Sequence, residues 1–208
     1  MSTATARALK RGIDVVGALV LLVVTSPILL VAALAIRRTM GSPVLFRQAR
    51  TGLGGWTFTL LKLRTMTNAG AGDLSRDAQR LTPLGRFLRT TSVDELPQLW
   101  NVLRGDMSLV GPRPLLPSYL PRYSPAQARR HEVPPGLTGL AQVNGRNALS
   151  WEEKFALDVR YVDTWSLALD LAILWQTVVT LVRGRGVSAD GHVTMPEFLG
   201  TKSMGGAR

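Results

Sequence analysis

The stretch Val15 to Ile36 runs for 22 residues without a formal charge. As a straight helix it would reach roughly 33 Å, about the hydrocarbon thickness of a bilayer. Its flanks constrain how it can sit there. Arg7, Lys10 and Arg11 precede it, and Arg37, Arg38, Arg47 and Arg50 follow it, so the positive-inside rule draws both ends toward the same, cytoplasmic side. Ser26-Pro27 stands near the middle, where proline removes a backbone donor and disfavours helical geometry in the residue before it. The expectation is a re-entrant helix–break–helix over residues 12–38 that dips into one leaflet, with Ser26 and Pro27 at the break. Ser26 or protein contacts must then cover the freed backbone groups, because lipid cannot. A simple spanning anchor is the plainer alternative. Ala33-Leu34-Ala35 resembles a signal-peptide cleavage site, but the apolar run exceeds the usual ~7–15-residue signal core and is followed by basic residues, so cleavage is set aside.

The whole chain of 208 residues suits one domain with a real core, residues 1–208, in which 39–200 form the part outside the membrane segment. Lysine and arginine total 25 against 14 acids, a net charge of +11. That excess suits an anionic partner: a membrane surface, nucleic acid or a phosphorylated substrate. Charge alone does not choose among them. The absence of cysteine excludes disulfides, thiolate chemistry and Cys-based zinc or iron–sulfur sites, and two histidines, His131 and His192, argue against a His-rich metal centre.

Short apolar alternation in Val44–Gln48 and Trp56–Leu60 around Gly52-Leu53-Gly54-Gly55 predicts a small β-hairpin. The remainder reads as mainly helical. Residues 67–80 are polar and rich in glycine and alanine, which predicts a loop. Ser92-x-x-Glu95 has the spacing of a capping box at the start of a helix carrying Leu96, Leu99, Trp100 and Leu103 and stopping at Gly105. Ser150-x-x-Glu153 repeats that signal, and Val133-Pro134-Pro135-Gly136 upstream predicts a turn. Leu167 to Val182 is apolar apart from a narrow stripe through Asp170, Thr177 and Thr180, a helix that either lies in a membrane interface or closes the core.

Asp94 and Glu95 fall in the first turn of the helix that follows Ser92, where the positive end of the dipole would keep both carboxylates ionised. Ionised carboxylates serve as nucleophiles or magnesium ligands; capping their own helix explains them equally well. Arginines gather around the pair, with Arg86 and Arg89 before it and Arg104 and Arg113 after it, and arginine forks match phosphate oxygens. Gly111-Pro112-Arg113-Pro114 presents its arginine stiffly, which suits holding a phosphate as well as it suits a structural turn. Gly145-Arg146-Asn147 is a weaker signal of the same kind. Lys62 and Arg64 alternate with Leu61 and Leu63, so both point to one face, which could be ordinary solvent.

Taken together, KLRTM, SVDELPQLWNVLRGDMSLVGPRP, PGLTGLAQVNGRN and the apolar TSP segment resemble the monotopic bacterial sugar transferases that initiate glycan assembly, from about Lys10 to Gly200. The resemblance implies a mainly α fold with a small β-hairpin, monotopic in the membrane through the re-entrant segment and interfacial amphipathic helices. It implies a polyprenyl-phosphate phosphoglycosyl transferase at the cytoplasmic face of the bacterial inner membrane, with a UDP-sugar donor, undecaprenyl phosphate acceptor, an anionic phospholipid membrane as partner and no nucleic acid. It further implies Mg²⁺ on Asp94, a covalent phosphosugar on Asp94 with Glu95 completing the dyad, phosphate contacts from Arg113 and Arg89, and Lys62, Arg146 and Asp170 near the donor. The tail GVSADGHVTMPEFLG resembles that of bacillosaminyl phosphotransferases of protein N-glycosylation, which implies UDP-N,N'-diacetylbacillosamine or a related N-acetylated sugar. A UDP-hexose transferase for capsule or exopolysaccharide is the alternative, and a non-enzymatic membrane-anchored anion-binding protein is a more distant one. Leu140 departs from the TGWAQVNGR pattern, in which a tryptophan stands at that position.

Overall fold

The computed structural model describes residues 3–67, 77–145, 148–183 and 197–200. Its first helix, α1, runs Thr3–Met40 for 38 residues. The interruption expected at Ser26 and Pro27 does not occur: the backbone stays helical through Pro27. The physical reason is local. Pro27 lacks the N–H that would bond the carbonyl of Val23, and Ser26 Oγ donates to that same Val23 oxygen at 2.8 Å. Thr25 Oγ1 donates to Leu21 O at 2.6 Å one turn earlier.

One side of α1 is buried at Asp14, Ala18, Ala32 and Ile36, with Leu22 and Leu29 partly buried between them, the spacing of a single helical face. The opposite side exposes Val16, Leu19, Val20, Val24 and Val31. Both halves of α1 are fastened to the rest of the chain, the first against the main core and the second against a separate cluster with Leu63 and Leu88. Near its start, Arg11 Nη1 and Nη2 donate to Val102 O (2.6 Å) and Leu103 O (2.8 Å), Asp14 Oδ1 accepts from Leu109 N at 3.0 Å, and Lys10 Nζ reaches Asp170 Oδ2 at 2.6 Å. At its other end the buried Arg64 side chain donates to Met40 O, Gly41 O and Ser42 O at 2.5, 2.6 and 3.0 Å, supplying the orphan carbonyls of the last turn, while Gly41 at φ 73 stops the helix.

The expected hairpin is present, with slightly later boundaries. β1 (Leu45–Thr51) pairs antiparallel with β2 (Thr57–Leu63), Gln48 opposite Leu60, across a turn at Leu53–Gly55. Lys62 and Arg64 do not form a solvent face, since both bond to protein groups. Residues 68–76 of the expected loop lie outside the described residues; after them comes the single turn α2 (Asp77–Arg80), and Met66 bridges Leu81. α3 (Pro83–Thr90) starts with Thr82 Oγ1 accepting from Gly85 N and a proline in the first turn.

The helix expected directly after Ser92 begins later. Ser92 sits at φ 58 without a side-chain cap, Val93–Glu95 form a 3-10 turn, and α4 spans Gln98–Arg104, ending at Gly105 with φ 92. Pro97 explains the delay: without an N–H it fits the entry to a helix and not its continuation. By contrast, Ser150 and Glu153 form the expected reciprocal capping box on α7 (Trp151–Thr164).

A second sheet was not anticipated. β3 (Ser108–Val110) and β4 (Gly136–Thr138) pair in parallel, with the single turn α5 (Pro125–Ala128) between them and α6 (Leu140–Val143) after them. Strands of three residues carry no legible alternation. Glycine permits the approach: a methyl group on Gly111 would collide with Pro134 O, and one on Gly136 with Gly111 N. The last helix, α8 (Leu167–Arg183), closes the core through Ile173 and leaves Leu171, Trp175 and Val178 exposed. The main core joins Ala18, Leu60, Leu99, Val102, Met107 and Tyr161.

Candidate active site

The hairpin and α4 are bolted together by one buried side chain. Asn101 Oδ1 accepts from Leu61 N at 3.1 Å, and its Nδ2 donates to Thr59 O at 2.8 Å, so it serves the free edge of β2 as another strand would. This sets the turn carrying Asp94 and Glu95 against Lys62 of β2. Lys62 Nζ donates to Glu95 Oε1 at 2.6 Å and lies 4.0 Å from Asp94 Oδ2. Arg113 Nη2 reaches Glu95 Oε1 at 2.7 Å from the other side. Arg89 Nε bonds Thr65 Oγ1 at 3.0 Å and its charge acts on Asp94.

The two acids are therefore unequal. Asp94 is buried and, among the described residues, accepts no hydrogen bond. Desolvation raises its pKa to about 6 against the opposing charges of Lys62, Arg89 and Arg113, with Glu95 adding to the rise. Burial also works against an ionised Glu95, but Arg113 and Lys62, by charge and hydrogen bond, outweigh it and hold that carboxyl well below the usual range. The expectation that a helix dipole sets both acids is thus corrected: they precede α4, burial dominates at Asp94, and the cations Arg113 and Lys62 prevail at Glu95.

Arg113 is presented stiffly, as its flanking Gly and Pro residues suggest. Gly111 N donates to Thr138 O and Gly136 N to Pro112 O, both at 2.9 Å. Arg130 Nη2 donates to the Arg113 carbonyl at 2.6 Å while Arg130 Nε and Nη2 hold Asp158 Oδ2 at 3.0 and 2.7 Å, fully buried. The Arg113 side chain is 46% exposed, so it can face a ligand.

Arg50 and Lys154 also stand beside Arg113. Burial, then the charge of Arg113, lower Arg50 to about 10 and Lys154 to about 8. Sequence reasoning missed Arg50, Lys154 and the Arg130–Asp158 support, because each meets the site through partners far away in the chain. Asp170 is placed differently from the expectation: it bonds Lys10, Tyr161 OH (2.7 Å) and Trp165 Nε1 (3.2 Å), a buried tie between α1, α7 and α8, and no member of the Asp94 cluster. Arg146 lies outside the described residues.

Among the described residues no group of three or more His, Cys, Asp or Glu side chains could hold a metal ion. A hard divalent cation would find one carboxylate here, Asp94, and would depend on a bound ligand for the rest of its shell. Chemically the site offers a carboxylate that accepts no hydrogen bond among the described residues, in a shell of forked and point cations, which suits a phosphorylated substrate.

Residues 5–184 match the model of the bacterial sugar transferase family. The chain is 55% identical over 195 residues to "Uncharacterized sugar transferase EpsL" of Bacillus subtilis, covering 93% of this chain and 96% of that one. It is 48% identical over 185 residues to a UDP-glucose:undecaprenyl-phosphate glucose-1-phosphate transferase of Caulobacter vibrioides, covering 83% and 69%. It is 36% identical over 201 residues to an undecaprenyl-phosphate galactose phosphotransferase of Salmonella typhimurium, covering 88% and 42%.

Proposed function

The chain belongs to the bacterial sugar transferase family and is a polyprenyl-phosphate phosphoglycosyl transferase; from that premise we propose that it moves a hexose 1-phosphate from a UDP-hexose to undecaprenyl phosphate, releasing UMP. The hexose reading is preferred over the N-acetylated bacillosamine expected from the tail, because the characterised relatives above carry glucose and galactose in their names, and the tail residues 184–196 lie outside the described structure. UDP-glucose is the first donor to test.

The observation that carries the mechanism is the inequality of Asp94 and Glu95. Glu95 is saturated by Lys62 and Arg113 and orients the cations; Asp94 has no hydrogen bond from the described residues to surrender before it attacks. Asp94 forms a bond to the β-phosphorus of the donor, the bond from that phosphorus to the bridging oxygen breaks, and UMP leaves with the electron pair. A carboxylate approaching a diphosphate sets negative charge against negative charge, so positive charge must already be in place. Arg113, Lys62 and Arg89 provide it, and magnesium, which Asp94 would hold, would supply further positive charge there. Undecaprenyl phosphate, already an oxyanion, then attacks the phosphorus and frees Asp94. The sugar C1–O bond is never broken, so the anomeric configuration is retained.

The membrane reading follows from α1. Both ends of α1 bond to the body of the chain, Arg11 to Val102 and Leu103 and Met40 to Arg64, while its outer face is apolar, which supports shallow, re-entrant insertion from the cytoplasmic face of the inner membrane over a span that leaves one end on each side. The exposed Leu171, Trp175 and Val178 of α8 suit the same anionic phospholipid interface. Such seating lets a soluble nucleotide sugar meet a lipid-tethered phosphate at the headgroup plane.

A donor panel tests this reading. Purified protein with Mg²⁺ and undecaprenyl phosphate is expected to form lipid-linked hexose diphosphate with retained configuration from one UDP-hexose; an inverted product would overturn the route through Asp94.

A further inference from the structure

Arg50 is a half-buried cation that forms no ion pair among the described residues, although the Glu95 charge reaches it. Its Nη2 donates to Gln48 Oε1 at 2.6 Å, its Nη1 makes only a long contact of 3.4 Å to Pro114 O, and its buried Nε has no hydrogen-bond partner among the described residues. An unsatisfied buried guanidinium donor is costly unless a ligand completes it. The position of Arg50 shows which ligand. It stands beside Arg113 and shares that neighbour with Lys154, whose Nζ is held 5.1 Å from the centre of the Trp151 ring. The hairpin register gives the direction: Lys62, beside Asp94, pairs with Phe46, whereas Arg50 lies four residues further along the same face of β1, opposite Phe58, roughly 13 Å away along the strand. Arg113 joins the two ends, since it holds Glu95 while the next residue, Pro114, offers its carbonyl to Arg50. Lys154 stands one turn before Asp158 on α7, and Asp158 holds the Arg130 that bonds the Arg113 carbonyl. The cluster therefore has polarity: Lys62 at the Asp94 end, Arg113 in the middle, Arg50 at the far end.

In-line displacement puts the attacking oxygen and the leaving oxygen on opposite sides of the phosphorus. With Asp94 attacking the β-phosphorus, the bridging oxygen and the α-phosphate behind it point away from Asp94, toward the far end. We propose that Arg50, flanked by Arg113 and Lys154, forms the subsite for the α-phosphate of the nucleotide and receives the charge that builds on departing UMP. When the bond between the β-phosphorus and the bridging oxygen breaks, the electron pair stays on the UMP phosphate, and the Arg50 fork neutralises it. Arg50 is then a binding residue of the leaving group, distinct from the cations that serve the nucleophile. This rests on the donor reading above.

The test compares inhibition of turnover by UMP and by uridine, using the full-length protein in detergent or nanodiscs with UDP-glucose, or whichever donor the panel selects. Uridine presents the base and ribose without the phosphate. For Arg50→Gln, the inhibition constant for UMP is expected to rise at least about tenfold while that for uridine stays unchanged. Arg50→Lys, which keeps the charge and loses the fork, recovers part of that difference. Lys154→Gln gives a smaller loss of the same selective kind, and it serves as the deciding variant if Arg50→Gln does not fold. Equal weakening of UMP and uridine, or no change in either, overturns the subsite while leaving the enzyme reading in place. Wild-type protein that releases no UMP from any donor overturns the reading beneath it as well.

Discussion

Arg130 donates a 2.6 Å hydrogen bond from Nη2 to the carbonyl oxygen of Arg113, so a fully buried arginine fixes the backbone of the exposed arginine that holds Glu95. The charge of Arg130 is balanced by Asp158, itself buried, and its guanidinium lies over the Tyr123 and Phe155 rings at 5.8 and 5.6 Å. Removing one member of a buried pair strands the other. Asp158→Ala is expected to destabilise the protein by about 3–5 kcal/mol, measured by denaturant unfolding in detergent. Arg113→Ala, at an exposed position, should leave stability nearly unchanged while lowering kcat/KM.

His131 gives a pH dependence of stability. Burial first, and the neighbouring Arg130 second, lower its pKa from 6.5 to about 4, against a small opposing contribution from the Gly52 backbone. The folded protein keeps this imidazole neutral while the unfolded chain protonates it, so stability is fully present above about pH 6.5 and declines as the pH falls toward 4. Unfolding midpoints measured across that range should fall, and His131→Gln should flatten the decline.

The Ser26 hydroxyl matters because Pro27 follows it. Ser26→Ala leaves Val23 O without a partner on the apolar side of α1 and is expected to cost about 1–3 kcal/mol. In a Pro27→Ala background the restored N–H takes over that carbonyl, and Ser26→Ala should then be nearly neutral. A double-mutant cycle by thermal unfolding in lipid nanodiscs reads the difference.

The absence of cysteine makes the placement of α1 directly measurable. Single cysteines at Ala4 and Thr39, near the two ends of the helix, should both react with an impermeant thiol reagent in inside-out vesicles and neither in right-side-out ones. Labelling from opposite sides would overturn re-entry.

The apolar run, the hairpin, the Ser150 cap and the Asp94-Glu95 pair were legible because each is written in contiguous residues. Ser92 misled because the spacing of a capping box does not register the Pro97 that postpones α4. Proline misled again in α1, where a broken helix was expected and the backbone stays helical through Pro27, with the Ser26 hydroxyl on the carbonyl that proline leaves free. β3 and β4 left no period to read, and their pairing joins residues 108–110 to 136–138. Arg50, Lys154 and the Arg130–Asp158 pair stayed hidden for a related reason: their roles exist only once distant segments meet around Arg113. Asp170, expected near the donor from resemblance, is explained by its bonds to Lys10 and Tyr161.

The central claim is that Asp94 is the nucleophile. Rapid mixing of stoichiometric enzyme with Mg²⁺ and the accepted UDP-sugar, in the absence of undecaprenyl phosphate, tests it most directly. The account expects a burst of UMP approaching one equivalent per active site, an intact-protein mass increased by one sugar phosphate on Asp94, and neither in Asp94→Asn. UMP release that requires the lipid from the first turnover, with no mass change, would contradict it and assign the transfer to a single direct displacement.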